Sequence, residues 1–213
     1  MKENIGHLRV NYDKFQLLEE NIPSNPFELF RGWFENAKNH SEVIEPNAMT
    51  IATVDENNAP QIRIVLLKEY SLNGFVFFTN YDSKKGKELI NNNNASILFF
   101  WESLHRQIRI QGKVEKIDRK DTIEYFNSRP YESRIGAIAS NQSSHLESRE
   151  FLEKRYQDLK QKYPENPPCP ENWGGFILKP NSFEFWQGRE SRLHDRIVYE
   201  LINNDWKTKR LYP

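Results

Sequence analysis

The sequence predicts a β-dominated α+β fold, an antiparallel barrel-like sheet with helices packed around it. Two observations carry this reading. From Ala48 onward most apolar segments follow a period of two, as half-buried strands do. Successive strands are joined by short turns, which leave no room for the long crossovers that a parallel sheet requires. No internal repeat or low-complexity linker interrupts the 213 residues, so residues 1–213 are read as one domain.

In chain order, PFELFRGWFENAKNH (26–40) sets Phe27, Phe30, Trp33 and Phe34 at helical spacing, and Asn25 before Pro26 is a helix start. MTIATVD and QIRIVLLKEY read as two strands around the turn DENNAP, and GFVFFTN follows the turn SLNG as a third. SKKGKELINN reads as a short helix ended by the Asn run at 91–94. ASILFFWESL and RQIRIQGKVEKID form a further hairpin. RKDTIEYFNSRP and YESRIGAIAS return to helical spacing. Ser144 and Glu147 form a capping box for a helix over 144–163, with Leu152, Tyr156, Leu159 and Tyr163 on one stripe. After the Pro-rich loop YPENPPCPEN, the segments GGFILKP, SFEFWQG and RIVYELINNDWKTKRLYP read as closing strands, with a turn at Asn203 and Asn204.

Composition narrows the function classes. Thirty Lys+Arg balance thirty Asp+Glu, which leaves no broad basic face for a nucleic-acid polymer, whose binding rests on counterion release. The cationic clusters are local, so their targets are small, and a phosphorylated small molecule fits best. Cys169 is the single cysteine, which excludes an intrachain disulfide and a Cys-based zinc site. The five histidines (7, 40, 105, 145 and 194) show no H-x-x-x-H or H-E-x-x-H spacing, so no metal is expected. MKENIGHLRVNYDKF has no apolar leader and no apolar run reaches 18 residues, so a cytoplasmic protein without a membrane partner is expected.

Neither G-x-G-x-x-G nor G-x-x-x-x-G-K-[ST] occurs, so a bound phosphate must be gripped by side chains. RIVLLK places Arg63 and Lys68 on an otherwise apolar strand. On an edge strand such charges snorkel to water; on a central strand Arg63, between Ile62 and Ile64, would be buried and would need an anion. Positions five apart face opposite sides of a regular strand, so one phosphate engages both only through a bulge or strong twist, and two anions are the other solution. FFTNYDSKKGK brings Thr79, Ser83, Lys84 and Lys85 to a helix N-terminus, which favours anions, although a solvated lysine cluster has the same pattern. In EYFNSRPYES, Tyr125, Arg129 and Ser133 share one side if the helix bends at Pro130 without unwinding. WQGRESRLHDR (186–196) packs Trp186, Arg189, Arg192, His194, Asp195 and Arg196 into eleven residues. Taken alone it reads as a salt-bridge cluster in which Asp195 pairs with Arg192 or Arg196.

These motifs occur together and in order. RIVLLK, FFTN followed by SKKG, RQIRIQGKVE, YFNSRP, SNQSS, WGGF, EFWQG and RLHDR make the chain closely resemble the pyridoxine/pyridoxamine 5′-phosphate oxidase family, from HLRVNY at residue 7 to the final RLYP. The resemblance implies a split β-barrel homodimer with FMN in the cleft between subunits. It implies oxidation of pyridoxamine 5′-phosphate and pyridoxine 5′-phosphate to pyridoxal 5′-phosphate, with O2 as acceptor and hydrogen peroxide released. By the same resemblance Arg63, Ile64, Val65, Leu66, Leu67, Lys68, Phe78, Thr79, Lys84 and Lys85 hold the flavin. Gln107, Gln142, Ser143, Trp186 and Arg196 touch it as well.

Lys68, Tyr125, Arg129 and Ser133 are implied as the substrate-phosphate set, and two phosphates would let Arg63 and Lys68 diverge. Arg192 and His194 are implied as catalytic residues facing the pyridine ring, with His194 accepting or relaying a proton. By the same resemblance Arg9 and Tyr12 belong to an N-terminal lid segment, residues 1–20, that closes over the substrate. Lys84 stands where many relatives have Arg, which keeps the charge and loses the bidentate fork. Two competing readings share the fold: a flavin enzyme acting on another substrate, and a non-catalytic carrier of FMN or pyridoxal phosphate.

Overall fold

The structure is a computed structural model and describes residue 4, residue 12 and residues 14–213. Among the described residues the helices are α1 (Pro26–Lys38), α2 (Lys84–Asn91), α3 (Arg119–Ser128), α4 (Tyr131–Ala139) and α5 (Arg149–Lys162). The strands are β1 (Ala48–Val54), β2 (Pro60–Leu66), β3 (Glu69–Ser71), β4 (Gly74–Asn80), β5 (Asn94–Trp101), β6 (Arg106–Lys116), β7 (Trp173–Gln187), β8 (Asp195–Ile202) and β9 (Asp205–Arg210). They form one sheet in the order β2-β1-β5-β6-β7-β4-β3, with β8 paired to β7 and β9 to β8. The pairs β3–β4, β4–β7, β7–β8 and β8–β9 are antiparallel.

Four details depart from the expected elements. QIRIVLLKEY is two strands, because β2 lies at one end of the sheet order and β3 at the other. The Lys68 N–H turns the chain by donating to Val76 O at 2.9 Å. GGFILKP and SFEFWQG are one fifteen-residue strand, β7. Pro180 falls between the part that pairs with β4, up to Leu178, and the part that pairs with β8, from Ser182, so its missing N–H costs neither ladder a bond. Helix α5 begins at Arg149, not at 144: Ser148 is its cap and accepts from Phe151 N at 3.1 Å. At Pro130 the helix breaks instead of bending. Helix α3 ends at Ser128, Arg129 is extended (φ −74°, ψ 150°), and α4 starts at Tyr131. The turn at Asn203 and Asn204 forms as expected, with both residues at positive φ (51° and 68°), as a tight hairpin requires.

The chain divides into two compact units. The first comprises Met1–Met49, Ile97–Gln111 and Pro180–Pro213; the second comprises Thr50–Ser96 and Gly112–Lys179. In the first unit α1 buries Phe27, Phe30 and Trp33. Phe27 meets Phe183 at 5.2 Å, Phe30 meets Phe99 at 5.4 Å and Trp33 meets Phe185 at 5.3 Å, all edge to face. The second unit packs Phe77 on Phe176 and Phe126 on Trp173.

Candidate active site

The second unit holds a cavity of about 530 Å³. Its floor is apolar, formed by Ile64, Val65 and Leu66 at the end of β2 and by Phe78 on β4. Phe78, Tyr125 and Trp173 form a triad of near-parallel rings, with Phe78 3.9 Å from Tyr125 and 5.3 Å from Trp173.

One polar group of the cavity sits where β4 runs into α2. Lys85 Nζ lies 3.2 Å from both Thr79 Oγ1 and Gln142 Oε1, and Thr79 donates to Gln142 Oε1 at 2.9 Å. Ser83, fully buried, caps α2 by accepting from Gly86 N at 3.2 Å. The helix therefore presents its positive end at this place. Burial lowers the pKa of Lys85 and the nearby Arg63 charge lowers it further, with Glu88 opposing. Lys85 forms no ion pair among the described residues. An anion here would gain a helix terminus, a hydroxyl and a partly desolvated ammonium.

The second polar group gathers Lys68, Tyr125, Arg129 and Ser133. The break at Pro130 brings the last three together across two helices, where a continuous helix had been expected to do so. The Arg129 guanidinium lies over Trp173 at 4.7 Å. Its Nη1 is buried and has no hydrogen-bond partner among the described residues. Burial lowers the pKa of Arg129 and raises that of Tyr125. An unsatisfied buried donor costs about 1–3 kcal/mol, more when charged, and a ligand oxygen removes that cost. The donor set thus fits two phosphoryl groups flanking a flat apolar body, as FMN with a phosphorylated substrate would require.

The side chains of Arg63, Leu67, Lys84 and Ser143 do not line this cavity. Arg63 Nη2 pairs with Glu88 Oε2 at 2.8 Å, and its Nη1 bonds Thr53 Oγ1. Thr53 in turn donates to Glu88 Oε2 at 2.5 Å. Strand β2 proves to be a terminal strand with Ile62 and Ile64 exposed (73% and 70%), while Arg63 on its other face meets an internal anion. Leu67 is core. Lys84 donates to Gln61 Oε1 at 3.0 Å, away from Lys85. Ser143 lines a neighbouring recess of about 370 Å³.

Gln107, Trp186, Arg192, His194, Arg196 and Tyr12 belong to the first unit, and none of them lines the cavity above. Arg9 lies outside the described residues. Four rings cluster here: Trp186 lies 4.7 Å from His194, and Tyr12 lies 4.5 Å from His105, 5.6 Å from His194 and 5.8 Å from Trp186. His194 Nδ1 accepts from Arg189 N at 3.0 Å. Burial lowers its pKa and the Arg192 charge lowers it further, against Asp195.

The expected pairing of Asp195 with Arg192 or Arg196 does not form. Asp195 pairs with Arg189 at 3.0 Å and Arg210 at 2.8 Å. Arg196 pairs instead with the buried Glu184 at 2.7 Å, and Arg109 bonds the other Glu184 oxygen. Arg192 makes no ion pair among the described residues. It and Ser191 both adopt positive φ (62° and 54°), a conformation that costs of order 1–2 kcal/mol for a residue with a Cβ. Glu88 and Glu184 were not singled out from the sequence. Alternation along β7, which sets Glu184 and Trp186 on one face, was the available signal for the second.

A largely antiparallel sheet carrying a cavity lined by apolar side chains and two groups of cationic and hydroxyl side chains defines a protein of the split-barrel class. The chain belongs to the pyridoxamine 5′-phosphate oxidase family, an oxidoreductase family: residues 37–163 match the family of that description, and residues 173–213 match the pyridoxine 5′-phosphate oxidase C-terminal dimerisation region. It is 50% identical over 214 residues to a pyridoxine/pyridoxamine 5′-phosphate oxidase of Christiangramia forsetii, covering 100% of both chains. It is also 50% identical over 211 residues to the protein of that name from Bordetella pertussis, covering 99% of this chain and 100% of the relative. Among solved structures it resembles PhzG from Burkholderia lata 383, crystallised with tetrahydrophenazine-1-carboxylic acid. The TM-score is 0.88 at 30% identity, with 94% of this chain and 100% of that one covered. A pyridoxamine 5′-phosphate oxidase-related, FMN-binding protein from Nostoc punctiforme shares the fold, with a TM-score of 0.70 at 18% identity over 86% of this chain and 97% of that one.

Proposed function

We propose that the chain is an FMN-dependent oxidase that converts pyridoxamine 5′-phosphate and pyridoxine 5′-phosphate to pyridoxal 5′-phosphate. The observation that carries this reading is the buried, unpartnered guanidinium nitrogen of Arg129 in a cavity shared with Lys68, Tyr125 and Ser133. That set favours a phosphorylated substrate over an unphosphorylated ring carboxylate of the kind seen with the Burkholderia lata relative. Lys85, Thr79, Gln142 and the start of α2 take the flavin phosphate, while Ile64, Val65 and Leu66 support the ring.

FMN, when bound, supplies the hydride acceptor, and dioxygen regenerates it with release of hydrogen peroxide. The protein's work is orientation and electrostatics. Arg192, unpaired and held in a strained backbone, turns its charge to the substrate ring. His194 offers a proton on Nε2, since Nδ1 is already an acceptor; the sequence reading had made it a proton acceptor or relay. Arg196 is aligned by Glu184 to face the flavin.

The match to a dimerisation region supports a homodimer, and so does the exposed apolar face of Ile62 and Ile64 on β2. In that dimer FMN sits in a cleft between subunits. Purified protein mixed with FMN, pyridoxamine 5′-phosphate and air tests the reading. Peroxide and an aldehyde chromophore in equal amounts are expected; bound ligands without peroxide would replace it with the carrier.

A further inference from the structure

The last strand carries a guanidinium that none of these roles uses. Arg210 on β9 binds Glu19 through a fork, Nε to Oε1 at 2.5 Å and Nη2 to Oε2 at 2.7 Å. Its Nη1 bonds Asp195 Oδ1 at 2.8 Å, and Nη2 also donates to Leu17 O at 2.7 Å. Asp195 Oδ2 accepts from Leu17 N at 3.0 Å and from Arg189 Nη1 at 3.0 Å. Both backbone polar groups of Leu17 are thus bound by residues about 180 positions further along the chain. The Leu17 side chain is buried and Asp195 is 8% exposed, whereas the Glu19 side chain is exposed, so the knot is screened from water on its Asp195 side only. Arg210 holds the Glu19 carboxyl down to about 2.

Five residues upstream of Leu17 stands Tyr12, whose ring meets His105, His194 and Trp186. The backbone of Gly188 makes room for it: a Cβ at that position would lie 2.8 Å from Tyr12 Cγ. Five extended residues reach about 17 Å, so the point at which the segment is tied decides whether Tyr12 can reach these rings. An untied segment would search a wide set of conformations each time it closed.

We propose that Arg210 and Asp195 are positioning residues that clasp the backbone at Leu17 and thereby hold Tyr12 against His194 and Trp186. Asp195, which sits in the motif between two site residues, then serves the N-terminal segment and not its neighbouring arginines. The proposal rests on the oxidase reading only for its effect on turnover. The clasp itself is independent of substrate.

The test uses the FMN-loaded enzyme with Arg210→Gln, Arg210→Lys and Glu19→Gln, alone and combined with Tyr12→Ala. Trypsin cleavage after Lys14, followed by mass spectrometry, reads the segment directly. Arg210→Gln is expected to speed that cleavage and to raise the KM for pyridoxamine 5′-phosphate by about threefold to tenfold, with kcat within about twofold. Arg210→Lys keeps the charge and loses the fork, so its effect is intermediate. Tyr12→Ala raises KM to a similar extent, and the double variant adds nothing further, because both changes remove one contact set. Unchanged cleavage, or KM effects that multiply, overturns the proposal. Should Arg210→Gln fail to fold, the exposed Glu19→Gln decides the matter by the same cleavage assay. If the wild type proves not to oxidise the substrate, the oxidase reading falls while cleavage after Lys14 still decides the clasp.

Discussion

The backbone N–H of Arg189 donates to Nδ1 of His194 at 3.0 Å, so the neutral imidazole carries its proton on Nε2. Glutamine can place an N–H near the Nε2 position, whereas asparagine reaches only the Nδ1 position. His194→Gln is therefore expected to retain more kcat/KM than His194→Asn or His194→Ala, which steady-state kinetics will measure.

The same geometry fixes a pH dependence. The pKa of His194 lies below its ordinary 6.5. A histidine kept neutral in the folded state contributes its full stability above that unfolded value, and the contribution is lost as pH falls through 6.5 toward the lower folded value. Thermal melts of wild type and His194→Gln should diverge only on the acid side of that window.

Arg192 has no ion-pair partner to lose, so replacing it strands no buried carboxylate. Arg192→Ala should lower kcat/KM by about ten- to a hundredfold, the value of one charge-assisted hydrogen bond, while flavin absorbance per protomer is unchanged. Near-normal turnover would remove Arg192 from the proposed mechanism.

Lys84 and Lys85 are neighbours in sequence with different surroundings. Lys85 Nζ meets Thr79 and Gln142 in the cavity, and Lys84 Nζ meets Gln61 outside it. Lys85→Met should weaken FMN binding about tenfold or more, and Lys84→Met less than about threefold, by fluorescence titration of apoprotein. Equal losses would place both ammonium groups on the phosphate.

Glu88 is the acceptor for Arg63 and Thr53 in a buried position. Glu88→Leu removes the carboxylate from Arg63 Nη2 and the Thr53 hydroxyl, leaving Arg63 its bond to Thr53, and should cost about 2–3 kcal/mol, seen as a lower urea midpoint at unchanged slope.

Much of the architecture was legible because it is local. The alternation of MTIATVD, the Asn-Pro start of α1 and the Asn-Asn turn are decided by neighbours two to four residues away. The boundaries that were misjudged depend on distant partners. Ser148 caps α5 where Ser144 had offered a capping box, and Pro180 lies inside β7 between the stretch that pairs with β4 and the stretch that pairs with β8.

The site divides the same way. Motif order alone pointed to Lys68, Tyr125, Arg129 and Ser133, and the cavity gathers all four. It could not say which carboxylate neutralises which arginine. With thirty cations and thirty anions, composition allows almost any pairing, and only the fold selects Glu88 for Arg63, Glu184 for Arg196 and Arg210 for Asp195. Residue periodicity and turn residues determined most of the strands and helices, because those follow from short-range geometry. Which charges are spent inside the protein and which remain for a ligand was decided by tertiary structure, because a pair forms only where the chain brings both partners out of water within hydrogen-bonding distance.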